Sequence, residues 1–125
     1  MKILHKKEEI TLTKNYKLFF EKKLGSGAFG EIYKGEEITT HKKIAIKCEI
    51  VPQNKPSLLK SEIEILKYLN GTKGIPKIYL NIFSKNFNFM LFELLGPNIN
   101  EIFNFCHKKF SLLTVLEIGL QMLER

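Results

Sequence analysis

Three glycines and one lysine are the residues whose types and spacing suit the handling of an anion. The stretch Leu24-Gly25-Ser26-Gly27-Ala28-Phe29-Gly30-Glu31-Ile32 is a G-x-G-x-x-G run with apolar residues on both sides. Glycines at this spacing let a backbone turn sharply and bring its N–H groups against an anion with no Cβ in the way. Lys47 lies 17 residues past Gly30, at the end of Ile44-Ala45-Ile46-Lys47.

These groups need elements to hold them. In a dinucleotide-binding fold such a run follows a strand, opens a helix and precedes an acidic residue by about 20 positions. The frame here is different. Tyr16, Leu18 and Phe20 alternate toward Leu24 as a first strand, and residues 31–37 read as a second. A polar turn at Thr39-Thr40-His41-Lys42-Lys43 leads into a third strand over 43–51. Pro52 and Pro56 bracket a linker, and a helix is predicted from near Ser57, with Leu59, Ile63 and Leu66 at helical spacing and Asn70-Gly71 ending it.

Residues 77–84 and 87–93 read as a hairpin turning at Lys85-Asn86. Its Met90-Leu91-Phe92 run suits a strand buried on both faces. Past Gly96-Pro97, helices are predicted over 99–108 and from about Leu112, with Ser111 as N-cap. Residues 1–14 have few apolar side chains and no clear period, and read as a flexible lead. The expected class is α+β: a five-stranded antiparallel sheet plus one helix, followed by two further helices.

The chain has 125 residues, 44% hydrophobic with ten Phe, enough for one small folded domain. No apolar run reaches the roughly 18 residues of a membrane span, and the N-terminus lacks the apolar stretch of a signal peptide. Cys48 and Cys106 are far apart and without paired histidines, so neither zinc nor a disulfide framework is expected, and a cytoplasmic or nuclear location is. The net charge of +7 comes from scattered lysines, Arg125 being the only arginine. That describes a solvated surface; nucleic-acid readers mix arginine with aromatics in one patch, so a nucleic-acid partner is not expected.

A glycine-rich hairpin followed by an alanine–apolar–lysine strand resembles the protein-kinase nucleotide site. Phe92-Glu93-Leu94-Leu95-Gly96-Pro97, then Asn104-Phe105-Cys106 and Phe110-Ser111-Leu112, resembles the casein kinase I family of serine/threonine kinases. Gly71-Thr72-Lys73-Gly74-Ile75-Pro76 and residues 24–33 are similar to the same family, and the resemblance covers residues 16–122. It implies a kinase-like small lobe over 15–95, holding the ATP site and hinge, and the first helices of a truncated large lobe over 96–125.

The resemblance also implies roles. Leu24, Gly25, Ser26, Gly27, Ala28, Phe29 and Gly30 would cover the phosphates of ATP, and Lys47 would hold two of them. Glu62 would be the anionic partner of Lys47; counted back from Gly74-Ile75-Pro76 it keeps the family spacing. Ile32 and Ala45 would lie over adenine, Phe92 would stand behind it, Glu93 would start the hinge and the Leu95 backbone would pair with the base. Phe92 departs from the family, where a methionine is usual, and would narrow the pocket. Glu101 falls where the family has an acidic residue near the ribose.

No H-R-D and no D-F-G occur in the sequence. Those motifs supply the base that accepts the substrate proton and the ligands of magnesium. The family's Mg2+ ligands are therefore missing here, and the chain alone is expected to be catalytically incomplete, with ATP and protein substrates as the family's partners. Leu112, Leu113, Val115, Leu116, Ile118, Leu120 and Leu123 make the last helix apolar nearly all round. Such a helix is normally buried, so self-association or a partner chain is expected through residues 112–125.

Overall fold

Alternating apolar and polar residues build one six-stranded sheet, with one helix packed on a face of it. The computed structural model of the protein describes residues 9–27, 30–51, 53 and 55–124. In chain order the elements are β1 (Glu9–Thr13), β2 (Tyr16–Gly27), β3 (Gly30–Glu37), β4 (Lys43–Ile50), α1 (Leu58–Tyr68), β5 (Ile78–Phe83), β6 (Phe87–Glu93), α2 (Ile99–Phe105) and α3 (Leu112–Leu123). The strands form one antiparallel sheet in the order β1-β2-β3-β4-β6-β5. The chain divides into two units, Met1–Leu94 and Leu95–Arg125.

The five expected strands and the helix that follows β4 are present, and a sixth strand joins them. Residues 9–13, expected within a flexible lead, instead pair with β2, Ile10 opposite Leu18 and Thr11 opposite Lys17. The reason is tertiary: Leu12 packs on the core that Leu18 builds, and two apolar residues are too few to announce a strand by periodicity. Residues 1–8 of that lead lie outside the described residues.

The sheet carries a core on each face, because neighbouring residues of a strand point to opposite sides. Leu18, Tyr33, Ile44, Ile46 and Leu91 form one core. On the other face Leu59 and Ile63 of α1 bury Met90, with Leu66, Ile78 and Phe92 packed around them. Met90 and Leu91 thus serve different cores, which is why Met90-Leu91-Phe92 reads as an unbroken apolar run. Ser57 caps α1, its hydroxyl accepting from the Lys60 N–H at 3.1 Å.

Part of the lysine excess is placed on this sheet. The ammonium groups of Lys17, Lys22 and Lys43 lie 5.2, 5.4 and 5.9 Å from the centroid of the Phe19 ring. Beside them the buried Glu36 carboxylate accepts from Lys43 and from His41. The charge is solvated and paired locally, as a lysine-rich surface should be.

In the second unit Asn98 and Glu101 form a capping box at the start of α2, with the two bonds at 2.9 and 2.8 Å. The helix ends at Phe105, not at Lys108 as expected. His107 and Lys108 take left-handed backbone angles (φ 54° and 59°), and the Lys108 N–H turns back to the Phe103 carbonyl at 2.9 Å. This closes the helix in the manner usually assigned to glycine. Phe110 meets Phe103 edge-on at 5.1 Å, and Ser111 caps α3. No residue of α3 is buried.

Candidate functional site

Register across the sheet aligns Gly25, Ile32 and Lys47. Gly25 of β2 is opposite Ile32 of β3, Ile32 is opposite Lys47 of β4, and Lys47 is opposite Met90 of β6. Directly paired residues share a face, so one cross-strand row carries a glycine, an isoleucine and the lysine. The next row on that face joins Phe19, Lys34, Ala45 and Phe92.

Lys47 does not point free into solvent. Its Nζ lies 2.6 Å from Oε2 of Glu62 on α1, with the lysine side chain 14% and the glutamate 36% exposed. The helix position follows from packing: Ile63 next to Glu62 is buried on Met90, which turns Glu62 to the strand bearing Lys47. Glu64, two residues on, is exposed. A half-exposed pair of this kind is worth about 1 kcal/mol or less in stability, so its geometry matters more than its energy.

The three glycines are not equivalent. β2 continues through Gly25, Ser26 and Gly27, which pair with Ile32, Glu31 and Gly30, so most of the expected loop is ladder. Gly30 has φ +123°, and a Cβ there would meet the Cys48 carbonyl oxygen at 2.3 Å. That glycine is demanded by the fold. Among the described residues a Cβ at Gly25 or Gly27 would meet nothing within 4 Å, and none of them gives a reason for either to lack a side chain.

The remaining predicted residues fall as follows. Leu24 and Ser26 are exposed on β2, and Ala28 and Phe29 lie outside the described residues. Ile32 is half-buried and Ala45 buried. Phe92 pairs with Ala45 and packs on the α1 core. Glu93 ends β6, its N–H bonding the Lys77 carbonyl at 2.9 Å and its carboxylate accepting from the Lys77 N–H at 3.3 Å. Leu95 begins the second unit with its side chain exposed. The Glu101 carboxylate is engaged in its own helix cap.

Sequence reasoning missed a second charged group on the face of Lys47. Glu49 is buried and accepts four hydrogen bonds, from the Ser57 hydroxyl, the Leu58 and Leu59 N–H groups at 3.0 and 3.2 Å, and Asn88 Nδ2 at 2.9 Å. Burial alone would push its carboxyl up; the bonds from Ser57, Asn88, Leu59 and Leu58 outweigh it and hold the carboxyl below its ordinary value. The available signal was the two-residue spacing from Lys47, which puts both side chains on one face. The side chains of Asn88 and Ser57 lie 39 and 8 residues away, and nothing in the sequence links them.

Cys48 lies between these two residues. Burial, with Glu31 and Glu49 nearby, pushes its thiol up to about 11, so it is a poor nucleophile. Tyr33, whose hydroxyl donates to Glu31 at 2.6 Å, is likewise raised, first by burial and then by that bond.

The family model for protein tyrosine and serine/threonine kinases matches residues 18–124, most of the chain. The chain belongs to this family. Protein kinases move a phosphoryl group from ATP, with Mg2+, to protein hydroxyls. In that frame β2–β6 and α1 are the kinase small lobe, and α2 and α3 begin the large lobe. The kinase base and its DFG metal ligand are aspartates, and this sequence contains none: all 13 acidic residues are glutamate. Among the described residues no group of three His, Cys, Asp or Glu could hold a metal ion, and no helix is long and apolar enough to cross a membrane.

Proposed function

We propose that this chain is the nucleotide-holding part of a casein kinase I-like serine/threonine protein kinase. The observation that carries the nucleotide reading is the row Gly25–Ile32–Lys47: bare backbone that the fold does not require stands on the same face as a lysine already oriented by Glu62. Backbone without side chains and a fixed ammonium suit the phosphates of ATP. Ile32, Ala45 and Phe92 would form the apolar wall for adenine, with Glu93 at the start of the hinge. The casein kinase I assignment is supported by Glu93-Leu94-Leu95-Gly96-Pro97, Asn104-Phe105-Cys106 and Gly74-Ile75-Pro76.

ATP supplies the phosphoryl group; these residues bind and orient it. They do not fit magnesium, since the aspartate that holds it in kinases has no counterpart here. The 125-residue polypeptide alone is therefore proposed to bind ATP weakly and to transfer no phosphate. Two free cysteines support a cytoplasmic or nuclear location.

Titration of the isotopically labelled chain with ATP tests the nucleotide reading. Amide shifts are expected at Gly25, Gly27 and Lys47, weakening at least about tenfold in Lys47→Met. No shift in the unsubstituted chain, or phosphate incorporation into casein by these 125 residues, would refute the respective part. Protein purified from its native source with an antibody against residues 1–97 should label casein on serine and threonine; labelling on tyrosine would refute the subfamily.

A second reading has its own observation. Leu112, Leu113, Val115, Leu116, Leu120, Met122 and Leu123 of α3 are all exposed, an apolar surface suited to another chain. In that reading the kinase-lobe chain acts by association, and a Lys47→Ala/Glu62→Ala variant would keep its partner.

A further inference from the structure

Lys47 and Glu49 leave the same face of β4, and both end on α1. Lys47 reaches Glu62 at 2.6 Å, and Glu49 accepts the N–H groups of Leu58 and Leu59 in the first turn. Leu58 and Glu62 are four residues apart, an advance of about 6 Å along the helix. Two residues along a strand advance about 6.6 Å. The strand therefore grips the helix at two points whose spacings match, with the helix running against the direction of β4.

The Glu49 grip is an expensive one. Asn88 is 1% exposed, and its Nδ2 is committed to Glu49 at 2.9 Å and the Ser57 hydroxyl at 3.1 Å. Its Oδ1 is buried with no hydrogen-bond partner among the described residues. An apolar residue at Asn88 would avoid the cost of an unsatisfied buried carbonyl. What the amide gains in return is the orientation of Glu49.

We propose that Glu49, held by Asn88, is a positioning residue for the nucleotide site: it fixes the first turn of α1 so that Glu62 stays opposite Lys47. Removing its charge lets α1 swing from β4 and releases Lys47. This rests on the reading of Lys47 and Glu62 as the nucleotide's charge pair, but its geometry can be tested without nucleotide.

The probe is acylation of Lys47 by a small succinimidyl ester, followed residue by residue by mass spectrometry. Lys47 in the unsubstituted chain should react slowly, and in Glu49→Gln about tenfold faster, the loss of one charge-assisted attachment. In a Glu62→Gln background, where Lys47 has already lost its partner, Glu49→Gln should add little; this non-additivity would not arise if Glu49 only supported the fold. Leu80→Ala weakens the opposite core and should leave Lys47 at its unsubstituted rate. If Glu49→Gln fails to fold, Asn88→Leu, which removes one of the four bonds and leaves the Ser57 cap of α1 in place, should speed Lys47 by a smaller factor. An unchanged Lys47 rate in the folded variants, or an equal rise in Leu80→Ala, overturns the proposal. Absence of ATP binding would leave these rates untouched, so the two failures are distinguishable.

Discussion

A Cβ on Gly30 would stand 2.3 Å from the carbonyl oxygen of Cys48, inside the space the β3–β4 ladder occupies. The same motif thus contains one glycine required by the sheet and two that are not. Gly30→Ala adds this clash to a φ of +123°, and should cost about 3 kcal/mol. Gly25→Ala and Gly27→Ala should unfold within about 0.5 kcal/mol of the unsubstituted chain yet bind ATP more weakly. Urea unfolding and ATP titration of the three variants separate these effects; equal destabilisation by all three would refute the distinction.

Acid should loosen α1 before it unfolds the sheet. The Glu49 carboxyl lies below its ordinary value in the folded chain. Its stabilising contribution is therefore fully present above the ordinary value of 4.5 and is lost as pH falls through the lower folded value. Stability measured from pH 7 downward should decline below that point, and the decline should be shallower in Glu49→Gln. A parallel pH profile in the variant would remove Glu49 as the source.

The two thiols should be chemically distinct. Cys106 is exposed, whereas Cys48 is partly buried with its thiol raised to about 11. At pH 8 iodoacetamide should label Cys106 first and leave Cys48 largely unmodified until the chain is denatured. Equal labelling of the native chain would contradict the packing at Cys48.

The apolar surface of α3 predicts concentration-dependent association. Leu116 and Leu120 are 60% and 59% exposed and one helical turn apart. The double change to lysine should lower the mass seen by light scattering without altering the unfolding of the first unit. A monodisperse monomer for the unsubstituted chain would oppose the association reading.

How far the sequence reveals this fold depends on how local the deciding contact is. Strands β2 to β6 and helix α1 are legible because Leu18, Ile44, Ile46, Leu59 and Ile63 sit at strand or helix spacing and all become core. Strand β1 is not, since Ile10 and Leu12 gain their meaning from β2. The end of α2 is hidden because His107 and Lys108 have no side-chain feature that announces a left-handed backbone. At the site, Gly25, Gly27, Gly30 and Lys47 are a recognisable set, but which glycine the sheet itself needs is decided by Cys48 across the ladder. Glu49 and Asn88 meet only through pairing of β4 with β6, which no spacing rule foretells.

That strand order also has a consequence for the time course of folding. Strands β2 to β4 each pair with the strand made just before, whereas β6 must return past α1 and β5 to pair Phe87 with Ile50 and Met90 with Lys47. Distant pairing carries a loop-closure cost that local pairing avoids, and it is correspondingly slow. The meander is expected to form early and the β4–β6 ladder late, an order that pulse-labelled hydrogen exchange would contradict if β6 amides were protected first. Both grips of β4 on α1 would then belong to the last barrier the chain crosses.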